Sequence, residues 1–187
     1  MPGAHKGLPE GNTAYQMRAP RTHLLFQHWR FTIRLPMTNQ EIARRFNRMA
    51  SLMEVRGEDP FRIRSYRMAA EAIETWPTEM QHIAKDEGVA GLLEIPGVGK
   101  AIAGKIIELL EKGTFDAWDR LTAETPETVL DLLELPGVGP KTVATFHQKF
   151  KIASLDDLRK FVEGGGLETV DGIGPKTAER IRKHISA

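Results

Sequence analysis

The sequence predicts an all-α protein. Apolar residues recur every three or four positions through residues 38–187, recognisable helix caps precede several of these stripes, and no segment alternates apolar and polar residues as a strand would. A chain of 187 residues with 41% hydrophobic content can bury one ordinary core or two small ones. We predict two small helical domains, residues 37–113 and residues 114–187, preceded by an unstructured or non-native leader at residues 1–36.

The leader differs from the rest of the chain in pattern and in charge. It shows no helical period, and organised sequence starts directly after it, so we interpret it as a translated upstream region with the natural start at Met37. A disordered arm and a short strand pair are the alternatives. Five basic residues against one acidic residue give the leader a charge of +4, which leaves −3 on the remainder. A slightly acidic body does not coat DNA by bulk charge, so any DNA contact must be local.

Two well-marked helices open the first domain. Thr38 and Glu41 form a capping box, and Gly57 ends the helix that follows. Asp59 is the predicted N-cap of the second helix, with Pro60 in its first position. The apolar stripes of the two helices consist of Ile42, Phe46, Met49, Met53, Ile63, Tyr66, Ala70 and Ile73.

The later helices are marked by caps and by glycines. Thr78 and Gln81 predict another capping box, for a helix that ends by Gly88. Ser154 and Asp157 predict the start of a helix that the run of three glycines at residues 164–166 breaks. Further helical runs are predicted at residues 89–94, 101–112, 126–133 and 141–151, and a short segment with Phe115, Trp118 and Leu121 follows the second of these. The last part of the chain, from Leu167 to the C-terminus, contains a glycine-rich turn at residues 170–176 that opens a final helical run.

One short pattern occurs three times, each time at the start of a helical run. It reads Ile-Pro-Gly-Val-Gly-Lys at residues 95–100, Leu-Pro-Gly-Val-Gly-Pro-Lys at residues 135–141 and Val-Asp-Gly-Ile-Gly-Pro-Lys at residues 170–176. Glycines permit a tight turn that leaves bare N–H groups at a helix N-terminus, and such groups attract anions. One copy could be a plain connector, but three copies favour phosphate binding. The predicted binding residues are Gly97, Gly99, Lys100, Gly137, Gly139, Lys141, Gly172, Gly174 and Lys176.

Composition excludes several other classes of function. The chain has no cysteine, which rules out disulfides, zinc ribbons and thiol catalysis. Its six histidines show no paired spacing, so no histidine metal site is predicted. No apolar run approaches the roughly 20 residues of a membrane span, and no signal peptide pattern is present. We therefore predict a cytoplasmic protein without a membrane partner.

The three repeats resemble the helix-hairpin-helix motif, which binds the DNA backbone without sequence specificity. The resemblance implies that hairpin amides grip a phosphate and that hairpin carbonyls hold Na+ or K+ bridging to the DNA, with no other cofactor required. The carbonyls that it implies as cation ligands are those of Leu93, Ile95, Val98, Leu133, Leu135 and Val138.

A longer resemblance covers residues 38–187. Residues 59–70 together with residues 95–106 resemble the N-terminal lyase domain of family X DNA polymerases, the DNA polymerase beta type, and the later repeats resemble the adjoining DNA-binding subdomain of bacterial members. No Gly-Ser followed by an Asp-x-Asp pair occurs, so we predict no polymerase activity for this chain alone. The resemblance implies a nucleoid-associated monomer with DNA as its partner, and a repair polymerase or nuclease as a further partner.

The same resemblance implies a catalytic lysine, Lys105, that attacks the sugar aldehyde of a 5′-deoxyribose phosphate. Tyr66 and Arg62 match positions that contact the sugar and the 5′-phosphate, and Arg67 is a further DNA-binding candidate. A Schiff base requires a neutral amine, and a lysine with a pKa of about 10.4 is neutral only about one time in a thousand near neutral pH. Neighbouring groups must therefore lower the pKa of Lys105.

Two departures from the family pattern keep the function open. Phe61 stands where a basic or imidazole side chain is often found, and Ala101 stands where the family has another phosphate-binding lysine, although Lys100 is adjacent. DNA-end or gap binding with lyase chemistry is one interpretation, and binding without chemistry, with Lys105 a solvated lysine, is a second. Protein scaffolding through degenerate hairpins is the least favoured, because all three copies keep both glycines.

Overall fold

The computed structural model describes residues 36–185, so the prediction made for the leader lies outside the described residues. All regular structure in residues 36–185 is helical, without a strand, which confirms the all-α prediction. No helix in this range has the length and apolarity needed to cross a bilayer. The α-helices are α1 (Asn39–Arg56), α2 (Pro60–Thr75), α3 (Met80–Asp86), α4 (Gly88–Leu93), α5 (Lys100–Lys112), α6 (Asp116–Glu124), α7 (Pro140–Phe150), α8 (Leu155–Glu163) and α9 (Pro175–Ile185), and 3₁₀ helices span Glu127–Glu134 and Gly166–Thr169.

The caps of the first two helices are those that the sequence predicts. The Glu41 N–H donates to the Thr38 hydroxyl and the Glu41 carboxylate accepts from the Thr38 N–H, at 3.2 Å and 2.8 Å. Gly57 ends α1 in the left-handed conformation, with φ 71°. The Asp59 carboxylate then accepts from the first turn of α2, at 3.0 Å. These local signals fix the corner between α1 and α2, which pack against each other.

The predicted capping box of α3 is wrong. Glu79, not Thr78, is the N-cap, and no side chain caps the helix. The Glu79 carboxylate accepts instead from the backbone N–H of Asn39 on α1, at 2.7 Å, and the buried Asn39 side chain accepts from the Met80 N–H, at 2.8 Å. The Asn39 amide also donates to two carbonyls of the α2–α3 connection. Tertiary hydrogen bonds from α1 therefore replace a local cap, because a buried N–H must find a partner wherever one is available.

The predicted helix before the second repeat is of the 3₁₀ type, over Glu127–Glu134. Three residues per turn place Val129 and Leu132 on the same side of such a helix, and both are fully buried. The segment thus presents one narrow apolar edge to the core.

An aromatic cluster around Phe46 of α1 joins elements from both predicted domains. The Phe46 ring centroid lies 5.8 Å from that of Tyr66 on α2 and 5.7 Å from that of Phe115, which precedes α6. Helix α1 also contacts α7 and the 3₁₀ helix at Glu127–Glu134. The described residues belong to one compact unit. That residues 37–113 and residues 114–187 fold as separate domains stays a prediction.

Candidate nucleic-acid interface

The three repeats form hairpins with the same turn. The N–H of Val98 donates to the Ile95 carbonyl, at 3.0 Å, and the equivalent bonds in the second and third hairpins measure 3.1 Å and 3.2 Å. The first glycine of each hairpin lies inside this turn with φ between 82° and 86°, which an L-residue adopts only at a cost. Ile95 and Val98 are buried, so the turn is anchored to the core by its apolar residues. The glycines of the first hairpin are left facing outward.

The second glycine of each hairpin adopts a backbone conformation that does not require glycine. Gly99 has φ −84° and ψ 174°, and Gly139 has φ −110° and ψ 177°, which is extended backbone that any residue adopts. A Cβ added at Gly99, Gly139 or Gly174 would meet no atom within 4 Å. Neither the fold of the hairpin nor its packing therefore requires glycine at these positions. Glycine at these positions leaves the backbone open to close approach by a ligand.

The helix starts that follow the hairpins are open to anions. Gly99 and Gly139 are the N-caps of α5 and α7, and neither helix has a side-chain cap. Helices α5, α7 and α9 have no acidic residue in the first turn, as is also true of α2, α3 and α4. Asp59, Glu79 and Glu87 stand at the N-caps of those three helices, whereas α5 and α7 begin at a glycine. Lys100, Lys141 and Lys176 are exposed beside the starts of α5, α7 and α9. Uncapped N–H groups, the helix dipole and a lysine thus coincide at the first two hairpins.

The third hairpin differs from the first two in charge. Asp171 occupies the turn position that Pro96 and Pro136 occupy in the others, and its carboxylate lies 3.7 Å from the Lys149 amine. The second and third hairpins are also close together, because a Cβ at Gly137 would lie 3.3 Å from the side chain of Thr177 on α9. An acidic side chain at the turn weakens the attraction of the third hairpin for a phosphate.

The carbonyls implied as cation ligands belong to the same turns. The Ile95 and Leu135 carbonyls each accept one turn hydrogen bond and retain a second lone pair. Within residues 36–185 no group of three or more His, Asp or Glu side chains could hold a metal ion. A monovalent cation on backbone oxygens fits this oxygen-only donor set and stays a prediction.

The structure brings Lys105 and Tyr66 together beside the first hairpin. The Lys105 amine lies 5.9 Å from the centroid of the Tyr66 ring, within the range of a cation–π contact. It donates to the Ala101 carbonyl, at 3.0 Å, so the amine points along α5 towards its N-terminus. The two predicted catalytic residues thus lie next to the predicted phosphate-binding amides.

The environment of Lys105 lowers the pKa of its amine. Partial burial lowers the pKa of Lys105, Arg62 and Arg120 lower it further by charge repulsion, and Glu108 opposes them. Burial raises the pKa of Tyr66 to about 12, so its phenol stays protonated at neutral pH. Tyr66 is therefore a donor or a positioning group rather than a base.

Three other residues singled out in the sequence differ in their surroundings. Arg67 forms an ion pair with Glu54 of α1 and is not among the groups that act on Lys105. Phe61 is 81% exposed near the start of α2, and Arg62 forms an ion pair with Glu58, at 3.0 Å.

The comparisons with known proteins agree with this geometry. Residues 37–115 match the family described as Helix-hairpin-helix domain, and residues 129–187 match the SAM-like Helix-hairpin-helix tandem. The DNA polymerase/3′-5′ exonuclease PolX of Bacillus subtilis is 28% identical over 145 residues, which is 78% of this chain and 24% of that protein. The chain has the helix-hairpin-helix region of PolX-like proteins.

The second half of this PolX-like region has another set of relatives. The Holliday junction branch migration complex subunit RuvA of Acidovorax sp. (strain JS42) is 37% identical over 60 residues, and RuvA of Albidiferax ferrireducens is 37% identical over 60 residues. Each match covers 32% of this chain and 32% of the relative. The chain thus spans about a quarter of PolX and a third of RuvA.

Sequence reasoning missed Arg120 and Glu108, whose charges affect the pKa of Lys105. Glu108 could have been found, since it lies three residues after Lys105 and therefore on the same face of α5. Arg120 belongs to α6, whose first residue, Asp116, donates its N–H to the Glu108 carboxylate, at 3.0 Å. Helical spacing within α5 does not reveal this neighbour.

Proposed function

We propose that this chain binds the DNA backbone without sequence specificity, at gaps or 5′-phosphate ends, as part of DNA repair. The observation that carries the proposal is the second glycine of each hairpin, which neither backbone conformation nor packing requires. Phosphate binding would explain glycine at these positions, because a side chain there would hold the phosphate away from the amides. The PolX and RuvA relatives support nucleic acid as the ligand.

Backbone amides cannot distinguish bases, so the binding is sequence-blind. Apart from the leader the sequence carries a charge of −3, and the contacts are therefore few and local. A monovalent cation on the hairpin carbonyls, such as those of Ile95 and Leu135, would add a positive charge at the same place. K+ in place of a bulky organic cation should then tighten binding at equal ionic strength.

Fluorescence anisotropy with labelled single-stranded, duplex, nicked and gapped DNA tests the binding proposal. We expect gapped DNA to bind most tightly, with equal affinity for unrelated sequences. Log Kobs should fall against log salt with a slope of roughly −3 to −5, as few phosphate contacts predict. A slope near −10, or a strong base preference, contradicts local recognition by amides.

We further propose that Lys105 gives the site 5′-deoxyribose phosphate lyase activity. The specific support is its position beside Tyr66 and its lowered pKa. The neutral amine adds to the C1′ aldehyde and water leaves, which forms an iminium. Removal of the C2′ proton by a base then breaks the C3′–O bond by β-elimination. The downstream strand leaves with a 5′-phosphate, and hydrolysis of the imine releases the sugar phosphate and regenerates the amine.

Borohydride trapping tests the lyase proposal, because reduction of the Schiff base links protein to DNA covalently. The protein should be trapped on DNA with an incised abasic site, and Lys105→Ala should abolish most trapping while gap binding remains. Tyr66→Phe should have a smaller effect, since orientation rather than bond formation is lost. Lys112→Ala is the control, an exposed lysine at the far end of the same helix. No trapping by the wild type would leave a DNA-binding module without chemistry, and full trapping by Lys105→Ala would assign the chemistry to another amine.

A further inference from the structure

One side of α9 carries a row of basic side chains. Lys176, Arg180 and Lys183 are spaced by four and three residues, so they lie on the same face of the helix. All three are exposed, whereas Ala178 and Ile181 on the opposite face are buried. At a rise of 1.5 Å per residue the row spans roughly 10 Å along the helix axis. We call these three residues the α9 basic face.

The α9 basic face has no acidic partner in the part of the chain that the structure describes. No carboxylate among residues 36–185 lies within ion-pair distance of its three cations. Glu179 stands four residues before Lys183, a spacing that suits an ion pair, and does not pair with it. Arg182, on another side of the helix, does form an ion pair, with Glu168. The charge of the basic face is therefore available to an external anion.

The charge of α9 contrasts with that of the surrounding chain. Residues 175–185 contain four basic residues and one acidic residue, which gives a charge of +3. Residues 37–187 carry −3 in all, so the rest of that range carries −6. The helices after the first two hairpins have no equivalent row, because the residues four and seven positions after the hairpin lysine are Gly104 and Ile107 in α5 and Thr145 and Gln148 in α7.

The α9 basic face starts beside the second hairpin. A Cβ at Gly137 would lie 3.3 Å from the side chain of Thr177, which directly follows Lys176 in the first turn of α9. A DNA strand on the amides of the second hairpin would therefore pass close to the first cation of the row. The turn of the third hairpin carries Asp171, which opposes phosphate binding there. The side of α9 is thus a better phosphate site than the turn that precedes it.

We propose that the α9 basic face binds the phosphate backbone of a duplex that flanks the gap. This contact depends on the proposed binding of gapped DNA by the hairpins and extends it to the continuous duplex beyond. Phosphates of one strand follow each other about every 3.4 Å along the DNA axis, so a row of roughly 10 Å spans about three of them. Lysine and arginine side chains on phosphates fix the position of the protein and read no bases. The third repeat then contacts DNA through the side of its helix.

The salt dependence of binding to gapped DNA tests this contact in the double variant Arg180→Gln/Lys183→Gln. Both residues are exposed and glutamine is a good helix former, so the fold should be unchanged. Each lost phosphate contact reduces the slope of log Kobs against log salt by about 0.9, so the slope of the double variant should be shallower by roughly 2. Lys85→Gln/Lys112→Gln is the matched control, because it removes the same charge from exposed lysines at the ends of α3 and α5. The control should keep the wild-type slope.

The length of the flanking duplex provides a second measurement. The wild type should bind gapped DNA with long duplex arms more tightly than gapped DNA with short, loop-closed arms, and the Arg180→Gln/Lys183→Gln variant should lose this difference. If the variant keeps both the wild-type slope and the preference for long arms, the α9 basic face does not bind the duplex, although gap binding by the hairpins stands. If the wild type binds intact duplex as tightly as gapped DNA, the proposed gap preference fails, whereas a shallower slope of the variant still assigns the α9 basic face to the DNA.

Discussion

Alanine in place of the first glycine of the first hairpin should reduce stability, and alanine in place of the second glycine should reduce DNA binding. Gly97 has φ 84°, and the left-handed region costs an L-residue about 1–2 kcal/mol. Its added Cβ would lie 3.6 Å from the Met68 backbone, which is ordinary contact, so backbone strain is the main effect. Gly97→Ala should therefore lower the free energy of unfolding by about 1–2 kcal/mol.

Gly99→Ala should behave in the opposite way. Its extended backbone accepts alanine and its Cβ meets no atom within 4 Å, so the free energy of unfolding should change by less than about 0.5 kcal/mol. The added methyl faces the space that the phosphate would occupy. Hydrogen bonds to a charged group are worth about 1.5–3 kcal/mol, which predicts a dissociation constant raised on the order of 10- to 100-fold.

Urea denaturation measures the first effect, and anisotropy with gapped DNA at one fixed salt concentration measures the second. Gly57→Ala is the matched control, because Gly57 has φ 71° at the end of α1 and open space around its Cβ. It should lose stability as Gly97→Ala does, without loss of affinity per folded molecule. If Gly99→Ala binds gapped DNA like the wild type, the ligand does not approach the second glycine and the hairpin interpretation is refuted.

Three further predictions address charge and packing. Glu108→Gln removes the charge that raises the pKa of Lys105 and retains an acceptor, so the pH profile of borohydride trapping should move to lower pH. Asn39→Ala deletes three side-chain hydrogen bonds, one buried and two partly buried, between α1 and the residues around the start of α3, and urea denaturation should show a loss of about 2–4 kcal/mol. Asp171→Asn removes a negative charge from the third hairpin and releases Lys149, so gapped DNA should bind severalfold more tightly at low salt, whereas unchanged affinity would place that hairpin away from the DNA.

Local sequence signals predicted most of the helices, but not the features that depend on distant residues. The capping box at Thr38 and the glycine at Gly57 act within one turn of chain, so they could be read from the sequence alone. The start of α3 could not, because the bonds that define it come from Asn39, some 40 residues earlier. The sequence also did not show that Glu127–Glu134 is a 3₁₀ helix, because the spacing of its apolar residues suits either an α-helix or a 3₁₀ helix.

The candidate site was likewise only partly predictable. The hairpin glycines form a repeated pattern that the sequence shows directly. Only the backbone angles show that the turn requires glycine at Gly97 and does not require it at Gly99. Lys105 and Tyr66 came from a resemblance, and their 5.9 Å approach is a tertiary observation. The charge effect of Arg120 on Lys105 was missed because helical spacing predicts neighbours within one helix only, and Arg120 belongs to the next helix.

A slightly acidic body can attract a phosphate where its helix starts are open. A protein that covers duplex DNA with lysines gains affinity on every phosphate alike. Here the first turns of α5, α7 and α9 contain no acidic residue, which is also true of α2, α3 and α4. What distinguishes α5 and α7 is a glycine N-cap without a side-chain cap, whereas Asp59, Glu79 and Glu87 stand at the N-caps of α2, α3 and α4. Because a phosphate can approach bare amides at a glycine but is repelled by a carboxylate, we expect the hairpins to bind the DNA backbone through a few local contacts rather than through bulk charge.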